Sequence, residues 1–71
     1  MNMDTTKHDS PISIGETITT KVEGFEYSIR RVYHNYFVWS LIKNGAARVG
    51  YADTYNDSAI SMMWAQKNWG K

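Results

Sequence analysis

The sequence predicts an α+β fold, an antiparallel meander of three strands, or four if residues 12–22 contribute one, packed against a single C-terminal helix. Three observations predict it. Asn44-Gly45 separates two runs rich in β-branched and aromatic residues, the pattern of a two-residue hairpin. A further such run precedes them, from Phe25 to Tyr33. At Thr54 the apolar spacing changes from a strand period to a helical one.

The elements follow in order. Residues 1–11 have little to bury and read as a mobile N-terminal tail, and residues 12–71 as one domain. Ile12, Ile14, Ile18 and Val22 suggest a weak strand over about 16–22, ended by a turn at Glu23-Gly24. Phe25 to Tyr33 and Tyr36 to Lys43 are strands, with His34-Asn35 as a tight turn between them. Asn44-Gly45 supplies two residues that tolerate positive φ, as a type I′ turn requires, and Ala46 to Ala52 is the returning strand. Thr54-Tyr55-Asn56-Asp57 approximates a capping box that starts a helix reaching Trp69, with Gly70 as its C′ residue.

Seventy-one residues make one small domain, which buries only about 60% of the surface its unfolded chain exposes, so large side chains must fill the core. Two Phe, five Tyr, three Trp and four Met meet that need. The absence of cysteine rules out a disulfide framework or thiolate metal site and is compatible with a reducing compartment, with cytoplasm the default. No signal-peptide core and no membrane-length apolar run occurs, so no membrane is expected as a partner. Net charge is +1, mild for a dedicated nucleic-acid reader.

Catalysis and cofactors are not expected. His8 falls in the tail and His34 in a turn, neither linked by spacing to an acid, and no metal-ligand or phosphate-cradling glycine pattern is present. The remaining chemistry is that of surfaces. The Asn44-Gly45 turn puts Lys43 opposite Ala46, so Ile42/Ala47, Ser40/Val49 and Val38/Tyr51 share one face. If the His34-Asn35 turn is also even, Phe25, Tyr27, Ile29 and Arg31 join that face, which is then assigned to the helix. The opposite face carries Arg30, Phe37, Trp39, Leu41, Lys43 and Arg48, aromatic and aliphatic groups framed by cations, and is the candidate partner-binding surface. Two alternatives stand beside this assignment: an odd loop at His34 would invert the first strand, or the helix covers the Trp39 face and leaves the other exposed. On the helix, Ala59, Ile60, Met63 and Trp64 form one apolar arc, and Tyr55, Met62, Ala65 and Trp69 another. Because this exceeds what one small sheet face needs, Tyr55, Met62 and Trp69 form a secondary candidate patch, to be covered by the N-terminal segment or a second chain.

From Tyr27 to Ala65, the Asn44-Gly45 turn, Gly50-Tyr51-Ala52-Asp53-Thr54 and Ala59 resemble three-stranded-sheet-plus-helix DNA-binding domains of the AP2 and integrase arm-binding type. That resemblance implies a sheet in the major groove, with Arg30, Lys43 and Arg48 at phosphates or guanine edges and Trp39 on the backbone. In size and character the chain is also similar to small phage-encoded inhibitors, anti-CRISPR proteins among them. That likeness implies occlusion of a host protein or protein–nucleic acid complex. The mild charge favours a protein partner, with duplex DNA as the alternative and a homodimer as a further option.

Overall fold

The computed structural model describes residues 12–70. The tail expected over residues 1–11 lies outside the described residues. Strands β1 (Thr17–Val22), β2 (Phe25–Tyr33), β3 (Tyr36–Lys43) and β4 (Ala46–Ala52) form one antiparallel sheet in the order β1-β2-β3-β4, followed by helix α1 (Tyr55–Lys67). The weak N-terminal strand is present as β1.

Turn chemistry divides the three hairpins into two kinds. Glu23-Gly24 (φ 52° and 85°) and Asn44-Gly45 (φ 52° and 82°) both hold positive φ, as primed turns require. Their backbone twist matches that of the strands, and both flanking ladders run without irregularity, Val22 opposite Phe25 and Lys43 opposite Ala46. His34-Asn35 contains no glycine, and neither residue has positive φ. An unprimed turn splays its strands, and here the mismatch is taken up by a β-bulge between Arg31 and Tyr33. Tyr33 pairs with Tyr36, as an even turn demands, but Arg31 pairs with Phe37 instead of Val38, leaving Val32 extra.

That residue changes which side chains meet. Below the bulge Ile29 faces Trp39 and Tyr27 faces Leu41, so Phe25, Tyr27, Ile29 and Arg31 lie with Phe37, Trp39, Leu41 and Lys43. The helix covers this face, packing mainly on β3 and β4. The expectation that Val38, Ser40 and Ile42 would sit under the helix is therefore overturned by one bulged residue.

The core has two linked parts. Ile12, Ile29, Phe37 and Met62 form one, and Phe25, Leu41 and Ala65 the other, with half-buried Tyr27 and Trp39 packed against both. Burial of Ile12 ties the N-terminal segment to the sheet. That segment also extends the sheet, since Gly15 N–H donates to Arg31 C=O (2.6 Å) and Arg31 N–H to Glu16 C=O (3.1 Å). Arg31 Nη1 donates to Ile12 C=O (3.0 Å), Nη2 donates to His34 C=O (2.9 Å), and the guanidinium lies 5.4 Å from the Phe37 ring centroid. At the helix N-terminus Thr54 Oγ1 accepts from Asp57 N–H at 3.0 Å. The helix ends at Lys67, short of the expected Trp69, with Asn68 as its C-cap and Gly70 at φ 84°.

Two outcomes test this arrangement. Deleting Val32 while converting His34-Asn35 to Asn-Gly keeps the fold, because a primed turn no longer needs the bulge; deleting Val32 alone lowers the thermal midpoint. Burial, reinforced by the Glu23 carboxylate, raises the Tyr27 phenol above the ordinary tyrosine value. The folded state thus holds this proton more tightly than the unfolded one, so its contribution is fully present below about pH 10 and lost as pH climbs through the raised value. Thermal melts of Tyr27→Phe between neutral and strongly alkaline pH should fall less steeply than those of the parent.

Candidate functional site

The face left open is built from cross-strand rows. Lys21, Glu26, Ile42 and Ala47 form the row nearest the Asn44-Gly45 turn; Thr19, Ser28, Ser40 and Val49 form the next; Thr17, Arg30, Val38 and Tyr51 the third. The middle row is mostly hydroxyls, and Thr19 Oγ1 and Ser28 Oγ share a hydrogen bond at 3.2 Å. Beyond the third row the face ends in tyrosines. Tyr33 and Tyr36 stack with ring centroids 6.4 Å apart, and Tyr36 meets Tyr51 at 5.8 Å.

These rings are solvent-facing, Tyr33 at 66% and Tyr51 at 73% exposure, with Val49 beside them at 65%. Tyrosine gives large contact area with only two side-chain torsions to order, and neighbouring hydroxyls give adaptable hydrogen bonds. Arg30, exposed in the same row as Val38 and Tyr51, adds a cation at the edge of the aromatic cluster. Tyr and Arg beside Ser and Thr on a sheet can offer aromatic packing, cation–π and hydrogen-bonding contacts together.

A second exposed feature lies on the helix. Its Tyr55, Met62 and Ala65 side goes inward, Met62 to 4% exposure, while Ile60, Met63 and Trp64 stay outside at 55, 65 and 67%. Trp64 and Ile60 border a groove of about 570 Å³ along the β4 edge at Arg48 and Val49, with Trp39 also lining it.

The residues singled out in the sequence are mostly on the covered side. Phe37 and Leu41 are core, at 2% and 0% exposure, and Trp39 is half-buried with its indole across Gly50, where a Cβ would lie 2.5–2.9 Å from the ring. Lys43 Nζ sits 4.6 Å from the Phe25 ring centroid and Arg48 lies 5.3 Å from that of Trp69, which packs edge-on to Phe25 at 5.4 Å. Both cations thus cap aromatic groups at the rim of the core. Met62 is core, Trp69 packs on the Phe25, Leu41 and Ala65 part of the core, and half-buried Tyr55 packs on the part that holds Met62, so the secondary patch is interior-facing as well. Among the proposed partner-binding residues Arg30 alone lies on the open face.

Sequence reasoning assigned Tyr51 and Val49 to the helix and passed over Tyr33 and Tyr36. The signal that separates the faces was the missing glycine at His34-Asn35, set against Glu23-Gly24 and Asn44-Gly45. Among the described residues no cluster of three His, Asp or Glu side chains could hold a metal ion, and His34 Nδ1 lies 3.3 Å from Arg31 Nη2. No helix among them is long and apolar enough to cross a membrane. No family model, no curated protein and no solved structure matches the chain.

Leu41→Ala should therefore act as a core truncation, costing about 2–5 kcal/mol in denaturant unfolding, and Gly50→Val should cost about 1–3 kcal/mol by displacing the Trp39 indole. Arg30→Ala should stay within about 0.5 kcal/mol of the parent.

Proposed function

We propose that this chain is a non-enzymatic protein-binding module whose contact surface is the open face of the sheet. It acts by occluding a larger protein machine, in the manner of small phage-encoded inhibitors such as anti-CRISPR proteins. The observation that carries the reading is the exposed Tyr33-Tyr36-Tyr51 cluster beside Arg30 and the hydroxyl row. A face meant only for water would spread charged residues over those positions; this one presents rigid, amphipathic anchors instead.

Electrostatics favours protein over duplex DNA. A sheet reading the major groove needs its cations on the side away from the helix. Of Arg30, Lys43 and Arg48, only Arg30 is there, and the other charges among the three rows are Lys21 and Glu26. Two cations against one carboxylate give a weak attraction to a polyanion, whereas a protein contact needs few charges and well-placed aromatic groups.

The test is an interference assay against CRISPR effectors and other host complexes, with affinity capture of the inhibited complex. The triple variant Arg30→Ala, Tyr36→Ala, Tyr51→Ala should lose about 100-fold or more in affinity while its melting curve stays close to the parent's. Heparin and DNA columns at two salt concentrations should retain neither protein. Salt-sensitive retention that vanishes in the triple variant would turn the reading to nucleic acid, and undiminished inhibition by that variant would remove the open face from the mechanism.

A further inference from the structure

β4 is an edge strand, and the turn before it determines which of its backbone groups face outward. Lys43 and Ala46 flank a two-residue turn and form a hydrogen-bonded pair, so bonding to β3 alternates onward to Arg48, Gly50 and Ala52. The N–H and C=O groups of Ala47, Val49 and Tyr51 therefore point away from the sheet. Edges are ordinarily shielded by proline, by charged side chains, lysine above all, or by a bulge. β4 has no proline or lysine, its one charge, Arg48, lies against the Trp69 ring, and its pairing with β3 runs unbroken. β1, at the other edge, carries Lys21.

The uncovered side of α1 stands above the same edge. Ile60 and Trp64 border the groove beside Arg48 and Val49, so an apolar helix surface and a row of main-chain donors and acceptors unused among the described residues lie together. A single partner that supplies both a strand and a helix at the right separation is another copy of this chain.

We propose that β4 pairs antiparallel with β4 of a second copy, about a two-fold axis at Val49, joining the two four-stranded sheets into one with both helices on the same side. In this register Val49 faces its own equivalent and Ala47 faces Tyr51, which gives about six main-chain hydrogen bonds. Side chains fit as large on small. Tyr51 lies opposite Ala47, Arg48 lies opposite Gly50, and no charge meets its like directly across the axis. With strands about 4.8 Å apart, helices lying over β3 and β4 stand roughly 10–13 Å from each other across the axis. Close-packed helices sit about 8–10 Å apart, and the bulk of Trp64 and Ile60 fills the difference. Burial of Trp64, Ile60, Val49, the Arg48 stem and the strand edge in both copies removes on the order of 1,000 Å², where specific interfaces begin. The open faces of the two sheets then become one continuous surface with two tyrosine clusters.

Light scattering on the full chain at low and high concentration tests this, with secondary structure followed by circular dichroism. The parent should show twice 8.2 kDa. Val49→Pro removes an outward amide at an edge where proline is tolerated, and should halve the mass with the fold retained. Val49→Lys and Trp64→Glu change exposed side chains and should shift the equilibrium to monomer, which keeps the test decisive if the proline variant misfolds. Thr19→Pro, at the outward position of β1, should leave the dimer intact. A parent that is monomeric at all concentrations overturns the proposal, including one that instead adds an extended peptide from another protein at β4. So does a dimer that survives both Val49→Lys and Trp64→Glu, or one that folded Thr19→Pro disperses.

Discussion

The phase between β2 and β3 is held by Val32, a residue of β2 without a counterpart in β3. Side chains alternate along a strand, so a single extra residue exchanges the two faces of everything before it. With it, Phe25, Tyr27 and Ile29 meet Phe37, Trp39 and Leu41, and one face gathers every Phe, Trp and Leu of the two central strands. Without it those sets would lie on opposite faces, and a single helix would cover half of them. In a domain this small, neither half would make an adequate core.

Arg31 adjoins the bulge and secures it. Its guanidinium joins the Ile12 carbonyl, the His34 carbonyl and the Phe37 ring, drawing the N-terminal segment and the β2–β3 turn to the same end of the core. The arrangement has a cost, since Nε is buried without a hydrogen-bond partner among the described residues. At the other end Lys43 and Arg48 lie against Phe25 and Trp69. Cations at this rim keep their charged heads near water while their stems and ring contacts seal apolar surface, which is why cationic residues on a strand need not mark a binding face.

Most of the architecture was legible in the sequence because it is local. Glycine-bearing turns at Glu23-Gly24 and Asn44-Gly45, the aromatic strands between them and Thr54 as an N-cap each declare themselves within a few residues. The strand over residues 17–22 was legible too, despite its threonine-rich composition. Facing was harder, because it sums every register along the chain and one unforeseen bulge inverts the result. Arg30 fell on the open face, whereas Phe37, Trp39, Leu41, Lys43 and Arg48 went under the helix. A rule that the largest apolar sets of adjacent strands must share a face would have paired Phe25, Tyr27 and Ile29 with Phe37, Trp39 and Leu41, and placed the bulge where glycine is missing.

Each strand is joined to its sheet neighbour by a two-residue turn, so the sheet is a chain of nearest-neighbour hairpins. Loop-closure entropy is small at every step of the sheet, whereas docking of α1 on β2 and β3 closes longer loops. The helix is the one element outside this succession of hairpins. Wherever the sheet forms ahead of its docking, Phe25, Phe37 and Leu41 face solvent. The speed with which α1 docks therefore governs how much of the chain escapes association through its own unfinished core.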